Sequence, residues 1–216
     1  MAGAFRRSAG RYVARFQPDE LGVVIMLLEQ TRELLDVPQA SAGPTDEFEF
    51  LMRSAGWGEQ APPSEQGGDP AVARLIPDPN PTDPQASAEF RRLTGTGLRE
   101  RKAATISAAV TALSRAASTA DTLEGESGTS GGRRRRPPRS TLVSLSQEEA
   151  TSVLVALTDV RLVLGVRLGL TTDSDPEEAL HRLERSLDTH DPAVAMAFAY
   201  DFLTWLQESL TRALMR

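Results

Sequence analysis

The last 25 residues constrain the fold most. From Ala195 to Leu214 apolar side chains fall at Ala195, Phe198, Ala199, Phe202, Leu203, Leu206, Leu210, Ala213 and Leu214. That is the i, i+3, i+4 spacing of one helical face. Asp191-Pro192 supplies a cap and a first-turn proline, and Trp205 flanks the stripe. Such a face must be buried against other elements, so the chain needs a helical core. Aromatic residues are only 5% of the composition, which leaves Leu, Val and Ala to fill that core and favours packed helices over a β-sandwich.

Two further helices are each preceded by a short strand. Arg11 to Phe16 alternates in hydrophobicity, then Pro18-Asp19-Glu20 opens a helix carrying Leu21, Val24, Ile25, Leu28 and Leu35 on one face. Thr141 to Leu145 is β-prone, and Ser146-Gln147-Glu148-Glu149 is a capping box for a helix running to about Gly169. Superposing the two segments sets Val24 on Val153, Ile25 on Leu154, Leu28 on Leu157, Arg32 on Arg161 and Leu35 on Leu164. The two strands are expected to pair and the two helices to pack. Arg32 and Arg161 would then want carboxylates such as Asp201 or Glu208, because a buried charge needs a partner.

Between these units, Glu47 to Trp57 is an ordered segment, Ala71 to Ile76 a short helix, and Asp83-Pro84 a helix start. The helix from Pro84 is expected to stop at Leu93, turn through Thr94-Gly95-Thr96-Gly97, and resume from Leu98 to Ala117 with Ala104, Ala108 and Ala112 as a packing face. Residues 121–140 are Gly, Ser, Arg and Pro, the composition of a disordered linker. Asp175-Pro176 opens a helix ending near Thr189. The expected fold is mainly α with a small β element (α+β), a helical bundle built on two strand–helix units. Residues 1–120 hold the first unit and a helical hairpin, and 141–216 hold the second unit and the C-terminal helices, all packing as one domain.

Chemistry-bearing residues are scarce. The chain has no cysteine, which excludes disulfides, Cys-ligated zinc and thiol redox chemistry. His181 and His190 are its two imidazoles. His181 lies near Glu177, Glu178 and Glu184, but transition metals need three or four converging ligands. No serine lies in a nucleophile elbow, and Gly95 and Gly97 stand between helical segments rather than after a strand. These features predict a protein without catalytic residues, metal or cofactor. The N-terminus lacks a secretory apolar stretch and the apolar runs are too short for a bilayer, so the expected location is the cytoplasm, with no membrane partner.

The net charge of −6 argues against a protein that binds nucleic acid over its whole surface. Basic residues nevertheless cluster. Arg6, Arg7, Arg11 and Arg15 share an N-terminal arm, Arg133, Arg134, Arg135 and Arg136 form a run in the linker, and Arg99, Arg101 and Lys102 follow the Gly-containing turn. Lys102 is the chain's sole lysine. Helix, short turn and cation-led helix make the outline of a helix-turn-helix, in which Arg99, Arg101 and Lys102 would meet DNA. The arginine run could meet phosphates by forked hydrogen bonds.

Several phrases carry a resemblance. They are Asp69-Pro-Ala-Val-Ala-Arg-Leu-Ile-Pro, Ala88-Glu-Phe-Arg-Arg-Leu-Thr with Leu98-Arg-x-Arg-Lys, Leu157-Thr-Asp-Val-Arg-Leu-Val-Leu-Gly-Val-Arg-Leu-Gly, and Tyr200-Asp-Phe-Leu-Thr-Trp-Leu-Gln-Glu-Ser-Leu. Together they resemble the actinobacterial oxidative-stress transcriptional regulator AosR family, commonly encoded beside the Clp protease adaptor ClpS. The resemblance implies a redox-responsive transcription regulator acting with an alternative sigma factor at promoters for sulfur and antioxidant metabolism. Candidate partners are a sigma factor or RNA polymerase, DNA, and a second copy of the chain in a homo-oligomer. An adaptor linked to ClpS/Clp proteolysis is the alternative. Sensing in that family is attributed to an N-terminal Cys-x-x-x-Cys pair. Here the arm reads Phe5-Arg-Arg-Ser-Ala9, so this chain cannot close an internal disulfide.

Overall fold

A computed structural model describes residues 2–35, 69–80, 82–125, 140–170 and 192–216, with the backbone alone for 118–125. The expected segments at Glu47–Trp57 and Asp175–Thr189, the arginine run Arg133–Arg136, and both histidines lie outside these residues. The elements are β1 (Arg6–Ser8), β2 (Arg11–Phe16), α1 (Pro18–Leu35), α2 (Pro70–Leu75), α3 (Pro84–Gly125), β3 (Thr141–Leu145), α4 (Gln147–Arg167) and α5 (Pro192–Leu214). The protein is mainly helical with one small antiparallel sheet, ordered β1-β2-β3.

Local chemistry sets the helix ends. Ser146 Oγ accepts from Glu149 N and Glu149 Oε2 accepts from Ser146 N at 2.8 Å, closing the capping box of α4. Glu20 makes the same back-reach at α1, accepting from Gln17 N at 2.8 Å. Asp83 accepts from Gln85 N and Ala86 N ahead of Pro84. At the far end of α4, Gly169 takes φ +68°, and Leu170 N bonds Gly165 O while Gly169 N bonds Val166 O. This pair of bonds is a Schellman stop, which needs the left-handed residue glycine supplies.

The two strand–helix units are present, and they are related by an approximate two-fold. β2 pairs antiparallel with β3 in the register Tyr12↔Leu145, Ala14↔Val143 and Phe16↔Thr141. Tyr12, Ala14 and Phe16 point inward, as do Thr141, Val143 and Leu145, and all six are buried. In the helices, Val24 and Val153, Leu28 and Leu157, and Leu35 and Leu164 are buried as pairs, while Ile25 and Leu154, and Arg32 and Arg161, are half-buried as pairs. α1 and α4 also touch. β1 escapes the sequence reading, because Arg-Arg-Ser carries no apolar alternation. It joins β2 through Ala9-Gly10, both at positive φ (49° and 75°), a two-residue turn of the kind that matches strand twist.

One expectation fails outright. There is no turn at Thr94–Gly97 and hence no helical hairpin, because α3 is one helix of 42 residues, about 63 Å long at 1.5 Å per residue. Gly95 and Gly97 keep negative φ, and a glycine inside a helix costs only about 1 kcal/mol against alanine. The helical segments on either side outweigh that cost. The packing face of α3 also differs from the alanine stripe. Ile106, Ala109, Ala112 and Leu113 are buried, whereas Ala104 and Ala108 are exposed. α3 continues through Gly125, past the expected end at Ala117 and into the stretch read as a linker.

α3 packs between α1 and α4 and also lies on β3, α5 packs on α4 and reaches β1, and α2 sits on α4. All described elements except β1 feed one apolar core. Each fully buried leucine, such as Leu28, Leu157 or Leu203, contributes about 1.5–3 kcal/mol. α5 is a core helix as expected, buried along Ala199, Leu203, Leu206, Leu210 and Ala213. Phe198 is a correction, since 67% of it is exposed. The spacing places it on the rim of the buried arc. Trp205 sits at the same rim, stacked on Phe202 at 6.2 Å between ring centroids.

Candidate functional site

The absence of the turn removes the helix-turn-helix geometry and redistributes its three cations. Lys102 is turned toward the core, and its Nζ lies 2.7 Å from Asp159 Oδ1 of α4. The lysine side chain is 29% exposed and the aspartate 4%. Lys102 therefore serves the α3–α4 seam and not a surface. Arg99 and Arg101 are exposed on the same helix and make no ion pair with a described residue. Arg91 is paired with Asp78 and Arg92 lies 4.0 Å from Glu89.

Seams between elements are pinned by charge. Asp69 accepts from Ala71 N to cap α2 and from Arg167 Nη2 at 2.5 Å, both side chains about nine-tenths buried. Glu149 accepts from Arg115 Nη1 at 2.8 Å and lies 3.7 Å from Arg11. The Arg115 hydrogen bond, then the Ser146 N–H, holds the Glu149 carboxyl below the usual glutamate range. Arg161 does not meet Asp201 or Glu208 as expected. Its Nη1 donates to Gln207 Oε1 at 2.7 Å and its Nη2 to Tyr200 Oη at 3.3 Å, with the guanidinium 5.1 Å from the Tyr200 ring centre. Asp201 is exposed, and Glu208 pairs with Arg212 one turn on.

Three arginines of the N-terminal arm, Arg6, Arg11 and Arg15, lie on the outer face of the sheet, whereas Arg7 pairs with Tyr12 on the other face. Since directly paired residues share a face, Arg6, Val13 and Ser144 stand together, as do Ser8 and Arg11, and Arg15 and Leu142. The solvent side of the three strands thus presents Arg6, Arg11 and Arg15 around Val13 and the half-exposed Leu142. Arg11 is anchored through Ser144 Oγ (2.8 Å) and Ser144 O (2.9 Å). Arg6 and Arg15 make no ion pair with a described residue. The sequence groups these residues in one arm, but only the strand register shows which of them share a surface.

Among the described residues no group of three or more His, Asp or Glu could hold a metal ion, and no helix is long and apolar enough to cross a membrane. Fold and surfaces together define an α+β domain whose three-stranded sheet presents arginines outward. The chain belongs to the family described as a domain of unknown function (DUF2017), whose profile matches residues 2–214. No curated protein and no solved structure matches it.

Proposed function

We propose that this protein is a non-enzymatic regulator of transcription in an oxidative-stress response, acting in the cytoplasm with a sigma factor or on DNA. The observation that carries the reading is the sheet face on which Arg6, Arg11 and Arg15 surround Val13 and Leu142. Arginine beside exposed apolar side chains suits a phosphate backbone or an acidic protein surface. The net charge of −6 makes such a patch a local, oriented feature. The phrases shared with the AosR family support the same assignment. Binding of this kind contacts phosphates without reading bases, since the helix-turn-helix is gone.

The test is a gel shift with promoter fragments, with and without sigma factor, at moderate salt. Arg6→Ala with Arg15→Ala should weaken the complex by about tenfold and lower the salt slope by about two. Absence of a complex in both mixtures removes the proposal. Exposed Phe198 and Trp205 on α5 favour a second reading, an adaptor for ClpS or Clp subunits. A pull-down that recovers those subunits and no transcription machinery would select it.

A further inference from the structure

We infer that the α4–α5 seam around Arg161 is a binding seat for a small oxyanion, a free carboxylate or phosphate compound. Lys102, Arg115 and Arg167 each cross between helices onto a carboxylate. Arg161 crosses from α4 to α5 onto an amide and a phenol, both neutral. A guanidinium stays protonated at every physiological pH, so this seam holds a half-buried positive charge with no counter-charge in contact among the described residues. The neutral partners are themselves fixed. Gln207 Nε2 donates to Thr158 Oγ1 at 2.9 Å, which aims Gln207 Oε1 at Arg161 and holds the guanidinium in place. Its Nε is buried without a partner, so the missing charge is not supplied from behind.

A recess of about 330 Å³ opens beside it, lined by Arg161, Arg212, Gln207, Thr204, Thr211 and Glu208. That volume is at the small end of ligand sites. Every lining residue carries a polar or charged group, and two guanidiniums disfavour a cation. Glu208 neutralises Arg212 at 2.7 Å, leaving a net charge of +1. The seat therefore suits a mono- or dianion and not a polyanion such as nucleic acid, which separates it from the sheet face. In a chain without cysteine, an anion bridging α4 and α5 is an input that requires no thiol.

The experiment follows the Gln207 and Thr204 backbone amide signals by NMR in the full chain, at constant ionic strength, while chloride is exchanged for inorganic phosphate or for acetate. Saturable movement with either probe, weakened at least tenfold in Arg161→Gln and severalfold in Arg212→Gln, is the expected result. Phosphate and acetate arms differ in affinity according to which oxyanion the seat prefers. Arg212→Gln lies on an exposed side chain and keeps the fold, so the test survives if Arg161→Gln does not. No saturable movement with either anion, or equal movement in wild type and Arg212→Gln, overturns the inference.

Discussion

Ala14 faces Val143 across the middle of the β2–β3 pair, and the two residues hold equivalent places in their own strand–helix units. Rotation about that point exchanges Tyr12 with Thr141 and Phe16 with Leu145, and carries Glu20 at the start of α1 to Glu149 at the start of α4. The same back-reaching carboxylate opens both helices. Only the second has the serine that completes the box.

The Lys102–Asp159 pair should be strongly directional in its energetics. Lys102→Met leaves a buried carboxylate unpaired, and should cost about 2–3 kcal/mol, below the 3–5 of a fully buried pair because the lysine is partly solvated. The double variant Lys102→Met, Asp159→Leu should recover most of that loss. Urea denaturation of the three proteins measures it.

Glu149 gives stability a pH dependence with a defined sign. Its folded pKa is depressed, so its contribution is complete above the unfolded value of about 4.3 and drains away as pH falls through the lower folded value. Glu149→Gln should flatten the decline of Tm in that acidic window. At neutral pH it should cost about 1 kcal/mol as a weakened cap and seam.

Continuity of α3 is checked by Gly95→Ala and Gly97→Ala. A Cβ at either position meets nothing within 4 Å, and neither glycine has positive φ. Each change should stabilise the protein by about 0.5–1 kcal/mol in chemical denaturation. A turn at this point would make at least one of them destabilising.

The β1–β2 turn holds Ala9 at φ 49°, where alanine is strained. Ala9→Asn should add about 0.5–1 kcal/mol, read as a rise in Tm, because asparagine tolerates that conformation.

What the sequence discloses is what local chemistry decides. The caps at Asp83 and Ser146 and the alternation in β2 are contained within four to six residues, and each appears where expected. Gly95 and Gly97 read as punctuation because a single segment cannot show the stability that its two flanking helical stretches lend. Phe198 fits the period of α5, but periodicity does not tell how wide the covered arc is. The Lys102–Asp159 bond spans 57 positions, and its only trace is a lysine in register with Ile106, Ala109 and Leu113, and an acid inside the apolar run of α4. Arg161 needed the structure too, since charge alone pointed to Asp201 or Glu208 and the seam supplies Gln207 and Tyr200 instead.

An antiparallel strand pair with equivalent residues opposite one another is what two identical chains make when they meet face to face. The arrangement of β2–α1 and β3–α4 thus has the form of an isologous pair joined in one polypeptide, with α3 packed on both of its helices. Within that symmetry the two helix starts differ at the cap itself, serine at 146 where the first unit has glutamine at 17.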